Sequence, residues 1–219
     1  MDIHAIWQQI VNGMGTTSLV EYIAVFTGIA GVWLQRIENI WVFPIGLINT
    51  IIYIWISIQG NLFGEASVNF YYTVVSIYGW ILWVKKDAQQ HHVVNIEFSN
   101  TKQWLQQLLF FAFFYVVIFV VLSYLKKSFA PNAIPWADAF ASATAYTGMW
   151  LMARKKVESW YWWIATNIAS IPLYFVKGYV FTSVYYLVLL IMAFFGLMEW
   201  IKRARKVNSE LSIVNEKSG

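Results

Sequence analysis

The sequence predicts an all-α integral membrane protein of seven transmembrane helices. Three observations carry that expectation: a charge-poor composition, seven apolar runs separated by charged gaps, and a one-sided distribution of lysine and arginine between those gaps. Of the 219 residues, 59% are hydrophobic, 19% aromatic and only 12% charged, against about 25% charged in an average soluble domain. Apolar runs lie near 18–35, 40–58, 66–84, 104–125, 137–153, 160–177 and 179–201. Each approaches the ~20 residues that cross a bilayer as a helix.

In chain order, residues 1–17 come first, and 2–14 place Ile3, Ile6, Trp7, Ile10 and Val11 at helical spacing. They read as a short amphipathic helix at the membrane interface. The segment lacks a basic start followed by a short apolar core and a small-residue cleavage site, so it is expected to remain in the mature protein. Residues 18–86 hold the first three spans. The polar stretch 87–103, with Asp87, His91, His92, Glu97 and Asn100, reads as an aqueous cytoplasmic loop. Residues 104–125 form a lone fourth span, 137–201 hold the last three, and 202–219 form a basic cytoplasmic tail without apolar periodicity.

Seven spans put the termini on opposite sides. One side then collects Arg36, Lys85, Lys86, Lys102, Arg154, Lys155, Lys156, Lys202, Arg203, Arg205, Lys206 and Lys217, and the other only Lys126, Lys127 and Lys177. Basic residues in short loops mark the cytoplasmic face. The expected topology is an inner (plasma) membrane protein with its N-terminus outside and its C-terminus cytoplasmic.

The halves resemble each other. Gly31, Trp33, Leu34, Asn49, Gly60, Gly79 and Trp83 in the first match Gly148, Trp150, Leu151, Asn167, Gly178, Gly196 and Trp200 in the second, and both sets run over 52 positions. Internal intervals agree to within one residue. Each repeat holds three helices, and the span at 104–125 has no counterpart, giving a three-plus-one-three plan. An odd linker helix returns the second triplet to the orientation of the first, so the repeats are parallel and a substrate site is expected at their interface near the midplane.

Asn49 and Asn167 fall near the middle of the second and sixth spans. An amide at that depth either packs helices through a hydrogen bond or meets a ligand. Trp160 and Trp163 precede Asn167 on one helical face, and Trp163 lies a full turn inside. Trp83 and Trp200 end their spans beside basic residues, where interfacial anchoring is the default reading. Asn69, Tyr72, Thr73 and Ser76 form a polar stripe on the third span, and Thr144 and Tyr146 add polarity to the fifth. Such stripes face a bundle interior. Pro44 and Pro172 lie within the second and sixth spans as hinge candidates, at offsets from the two asparagines that are not equivalent.

Several function classes are disfavoured. With no cysteine there is no disulfide, iron–sulfur or zinc–thiolate chemistry. His4, His91 and His92 lie outside the spans, so no intramembrane metal site is expected, and no cofactor. No acidic residue sits at a midplane to relay protons or sodium: Asp138, Glu38, Glu158 and Glu199 lie at or near helix ends, where structural roles suit them. No catalytic motif appears within the spans, so the chain does not read as an enzyme. The net charge of +4 sits in membrane-flanking gaps and points to no nucleic acid.

Several runs resemble the PnuC vitamin transporters: Lys156 to Trp163 followed by Asn167 and Lys177-Gly178, Ile77-Tyr78-Gly79-Trp80 with Trp83, Gly46-Leu47-Ile48-Asn49, and Trp136-Ala-Asp138 before Leu151 to Lys155. The resemblance covers about 28–206, and its most specific element is the Trp-x-x-Trp-x-x-x-Asn run at 160–167. It implies the three-plus-one-three plan of full-length SWEET proteins. It also implies facilitated diffusion of nicotinamide riboside, trapped by a cytoplasmic riboside kinase.

Such a ligand agrees with the residues. A flat, cationic pyridinium suits indole and phenol faces, and its carboxamide and hydroxyls suit amides. Expected substrate-binding residues are Trp163, with Tyr72 or Trp80, for stacking, and Asn49, Asn167 and Gln59 for hydrogen bonding. A phosphate would need arginine or lysine at depth, and none is there. Another vitamin such as thiamine, or a sugar, stands as an alternative cargo, and a non-transporting sensor or scaffold as another class. A homo-oligomer in the bilayer is compatible with all of these.

Overall fold

A computed structural model describes residues 19–59, 63–87, 92–126 and 133–218. The expected interfacial helix at 2–14 lies outside the described residues. Seven helices are present among them: α1 Leu19–Arg36, α2 Val42–Gln59, α3 Phe63–Val84, α4 Thr101–Leu125, α5 Pro135–Ala153, α6 Ser159–Val176 and α7 Val180–Ser218. Backbone pairing outside them is limited to two isolated bridges, Lys86 with His92 and Glu97 with Lys156.

Local chemistry sets several boundaries. Asn100 caps α4 through a reciprocal box with Gln103, each bond 2.9 Å long. Pro135 opens α5, where its missing N–H is not needed. Gly178, at φ +84°, turns the chain from α6 to α7. Pro44 falls in the first turn of α2, so it breaks no helical hydrogen bond, and the hinge expected there has no structural basis. Pro172 does lie inside α6.

Six helices close a ring in the order α1, α2, α3, α5, α6, α7 and back to α1, and α4 lies outside it against α5. Thr101–Leu125 and Val180–Val207 are long and apolar enough to cross a membrane, and Val42–Ile56 is a shorter apolar helix. Large apolar side chains line the outside, among them Leu105, Leu109, Phe113 and Val116 on α4, Trp55 on α2 and Ile81 on α3. Water would not tolerate that outer face, whereas lipid would cover it.

Trp83 and Trp200 do not anchor the protein at an interface. They are 3% and 0% exposed, and their indole N–H groups donate to backbone carbonyls: Trp83 to Ala153 O at 3.1 Å, Trp200 to Gln35 O at 3.1 Å and Arg36 O at 3.2 Å. Each donates to the last turn of a helix, where carbonyls lack intrahelical partners, and Ala153 O and Arg36 O are the corresponding acceptors. Trp160 is also buried, edge-on to Trp200 at 5.6 Å, as Phe43 is to Trp83 at 5.0 Å. A Cβ on Gly79 would meet the Phe43 ring at 2.5 Å and one on Gly196 the Trp160 ring at 2.3 Å, so both ring contacts require glycine.

These contacts recur at a constant offset of 117 residues, the separation of Glu38 and Lys155. The same offset relates the hydroxyl of Thr27, bonded to Ile23 O at 2.8 Å, to that of Thr144, bonded to Phe140 O at 2.9 Å. It also relates Asn49, whose amide donates to Thr27 at 2.8 Å, to Thr166, bonded to Thr144 at 2.9 Å. Asn167, matched to Asn49 by sequence interval, stands one residue from that equivalence.

Two polar segments differ from the sequence expectation. The described part of 87–103 is packed on the bundle instead of lying free in water. Ile96 is 2% exposed in the core, Glu97 exchanges backbone bonds with Lys155 O and Val157 N, and α4 already begins at Thr101. Beyond 202, the chain continues α7 to Ser218 where an irregular tail was expected.

Candidate functional site

Inside the ring, α1, α2 and α3 surround a cleft with a volume of about 140 Å³. From α1 come Thr27, Gly28, Gly31, Val32 and Gln35; from α2, Val42, Phe43, Gly46, Asn49 and Thr50; from α3, Tyr72 and Ser76. Met149 and Met152 of α5 and Trp163 of α6 complete the wall. The cleft therefore draws on both ends of the chain. No lysine, arginine, aspartate or glutamate is among these lining residues.

Packing fixes the aromatic wall. Trp163 and Tyr72 stand 6.5 Å apart at 54°. Behind Tyr72, Tyr71 stacks on Tyr146 at 4.2 Å and donates its hydroxyl to Tyr146 O at 3.0 Å. Trp163 also lies against Gly148, where a Cβ would come within 3.2 Å of the indole. Tyr72 and Trp163 thus stand at a fixed angle to each other in the cleft wall.

The polar lining divides into satisfied and open groups. Asn49 donates to Thr27 at 2.8 Å, and Thr50 shares a 2.9 Å bond with Thr73 of α3. Gln35 Nε2 and Trp163 Nε1, by contrast, are buried donors without an acceptor. Gln35 is 5% exposed, and its backbone carbonyl is held by Trp200. A buried donor without a partner costs about 1–3 kcal/mol, a cost that a ligand oxygen would remove.

Three of the six sequence-predicted residues meet at the cleft: Trp163, Asn49 and Tyr72. The other three lie elsewhere. Asn167 is 4% exposed on α6 but outside the cleft lining, and Trp80 is 39% exposed on α3. Gln59 is the exposed last residue of α2. Sequence reasoning missed Gln35, whose signal was an amide one residue inside a span that ends in Arg36, and the small residues Gly31 and Gly46.

A charge cluster lies where α1 ends, beyond the cleft residue Gln35. Lys155 Nζ reaches Glu38 Oε1 at 2.7 Å, and Arg203 reaches Glu38 Oε2 at 3.2 Å and Glu199 at 2.8 Å. Lys155 also lies over the Trp83 ring at 4.7 Å. This cluster ties the ends of α1 and α5 to α7.

Residues 18–202 match the family described as nicotinamide mononucleotide transporter. The nicotinamide riboside transporter PnuC of Escherichia coli (strain K12) is 25% identical over 212 residues, covering 88% of this chain and 89% of the relative. The PnuC of Neisseria mucosa is 25% identical over 210 residues, 91% of this chain and 78% of that protein. The riboflavin/roseoflavin transporter RibM of Streptomyces davaonensis is 23% identical, covering 94% and 89%. A crystal structure of the vitamin B3 transporter PnuC shares the fold, with a TM-score of 0.70, 22% identity and coverage of 92% and 88%. With its helical ring, its lipid-facing exterior and a match over nearly the whole membrane domain, this chain belongs to the PnuC family of membrane transporters.

Proposed function

We propose that the protein carries nicotinamide riboside across the membrane by facilitated diffusion through the α1–α2–α3 cleft. The observation that carries this reading is the cleft's lining: aromatic and amide-bearing, with no charged side chain. A riboside offers it a flat cationic ring, a carboxamide and hydroxyls. The mononucleotide would bring a phosphate into a wall without a single cation, at the cost of stripping its water. Family names alone do not separate the two, and the lining favours the riboside. Without a carboxylate in the lining, nothing there would tie movement to a proton or sodium ion. Trapping by a cytoplasmic riboside kinase would then give uptake its direction.

The architecture proposed with it is two parallel three-helix repeats joined by α4, as in full-length SWEET proteins. The contacts repeated at an offset of 117 support this. So does the pairing of Glu38 with Lys155, which puts the ends of α1 and α5 at the same end of the bundle. That end, rich in lysine and arginine, is proposed as cytoplasmic, with the N-terminus outside.

Purified protein in liposomes should equilibrate labelled nicotinamide riboside without an ion gradient and exclude the mononucleotide. Accumulation above equilibrium should require a riboside kinase and ATP inside. Trp163→Ala should abolish saturable uptake, and uptake that survives this change would put the site elsewhere. A second reading, riboflavin as cargo, is favoured by RibM matching as much of the chain as the PnuC relatives do. Competition of riboflavin against labelled riboside separates the two.

A further inference from the structure

At the cleft the two halves differ, and the offset of 117 residues identifies where. Gly148 of α5 is covered by the Trp163 indole, which lies 3.2 Å from where its Cβ would be. The counterpart of Gly148 is Gly31, and a Cβ there would meet nothing within 4 Å. The counterpart of Trp163 is Gly46. A Cβ on Gly46 would meet only Ser76 Oγ, at 3.9 Å. The second triplet thus fills with its own indole the space that the first leaves empty.

We propose that Gly46 is the specificity-determining residue of this transporter: the missing side chain at 46, opposite the bare Gly31, sets the width of the cleft. Trp163 then has two tasks, closing the space over Gly148 and forming the wall shared with Tyr72. The inference rests on the cleft being the riboside site. A methyl at 46 fits in ordinary contact. A branched chain at 46 or at 31 grows into the open space from opposite walls, where added bulk competes directly with ligand.

The test is binding of nicotinamide riboside to purified full-length protein by calorimetry, with thermal unfolding recorded on each variant. Gly46→Ala should weaken binding by less than about threefold, and Gly46→Leu by more than about thirtyfold, in keeping with the cost of overpacking a filled site. Gly31→Leu should do the same from the facing wall. Because both leucines enter empty space, their unfolding temperatures should not fall below that of the parent protein. Folded Gly46→Leu and Gly31→Leu proteins that bind riboside like the parent, while Trp163→Ala has lost binding, would overturn the role of Gly46 and leave the site standing. If Trp163→Ala also binds like the parent, the site reading itself fails and this inference with it.

Discussion

Glu38 and Lys155 form a 2.7 Å ion pair with each other across 117 residues of chain, and they are the non-glycine residues whose φ is positive among those described, at 61° and 53°. Glu38 follows α1 and Lys155 follows α5, and each N–H closes a turn onto that helix, Glu38 on Gln35 O and Lys155 on Met152 O. Residues with a Cβ avoid this backbone region at a cost of about 1 kcal/mol or more. The pair turns two left-handed corners toward each other and joins them.

The pair is asymmetric in burial, and that fixes the sign of a mutational comparison. The Lys155 side chain is 5% exposed, and Glu38, 26% exposed, keeps Arg203 as a second partner. Glu38→Gln strands a buried ammonium, whereas Lys155→Gln leaves a carboxylate still paired and partly wet. Breaking a fully buried pair costs about 3–5 kcal/mol, and partial exposure reduces this to about 2 kcal/mol for Glu38→Gln. Lys155→Gln should cost less. Thermal unfolding in detergent measures both, and equal losses would count against the role of burial.

The two carbonyl-capping tryptophans give a second expectation. Trp83→Phe and Trp200→Phe keep most of the buried ring but remove the N–H that reaches Ala153 O in one case and Gln35 O and Arg36 O in the other. Each should lose about 1–3 kcal/mol, the cost of a carbonyl left without this donor: Ala153 O in one case and Arg36 O in the other, since Gln35 O keeps the Glu38 N–H. An interfacial anchor would lose little on the same change. Chemical unfolding of the two variants beside Trp80→Phe, whose indole is 39% exposed, distinguishes these outcomes.

How far the sequence was readable follows from what each signal encodes. Helix count is carried by the apolar runs, which the seven described helices match, and the glycine–tryptophan intervals reappear as contacts spaced 117 residues apart. Trp83 and Trp200 were misread because a tryptophan beside lysines at a helix end has the same local signature whether its N–H meets headgroups or a neighbouring helix's carbonyl. Asn49 could be placed in the cleft because depth and polarity coincide, but Asn167 and Trp80 share those properties and point elsewhere. The empty space at Gly31 and Gly46 is a property of what faces them, and no single-chain pattern records it.

The segment before α4 should be a fixed part of the bundle. Ser99 donates its backbone N–H and its hydroxyl to the buried Glu158 carboxylate at 2.9 and 2.7 Å. It also accepts from the fully buried Gln107, which in turn accepts from Trp162 Nε1 at 3.1 Å. Ser99→Ala removes the one hydroxyl that serves both Glu158 and Gln107. Glu158 Oε2 and Gln107 Nε2 then each lose a bond, while Glu158 Oε1 keeps the backbone N–H of residue 99 and Gln107 Oε1 keeps Trp162, and a loss of about 2 kcal/mol is expected. Amide exchange at 92–100 should rise in the variant. Unchanged exchange would mean that the backbone bonds to Lys155 and Val157 hold the strap alone.

Gln35 provides the sharpest separation of binding from stability. Its Nε2 is a buried donor without an acceptor, which burdens the fold. Leucine has a similar volume and no polar atom, so Gln35→Leu should leave the unfolding temperature unchanged or raise it. Its effect on ligand should be opposite. If the amide is kept polar because a carboxamide or ribose oxygen meets it, riboside affinity should fall about tenfold, the usual consequence of withdrawing one buried hydrogen bond from a substrate. Gln35→Glu separates geometry from donation, because it preserves shape and supplies only acceptors when ionised. A variant that loses stability and keeps affinity would assign Gln35 to packing. One that gains stability and loses affinity would show that this unmet hydrogen bond is retained for the cargo.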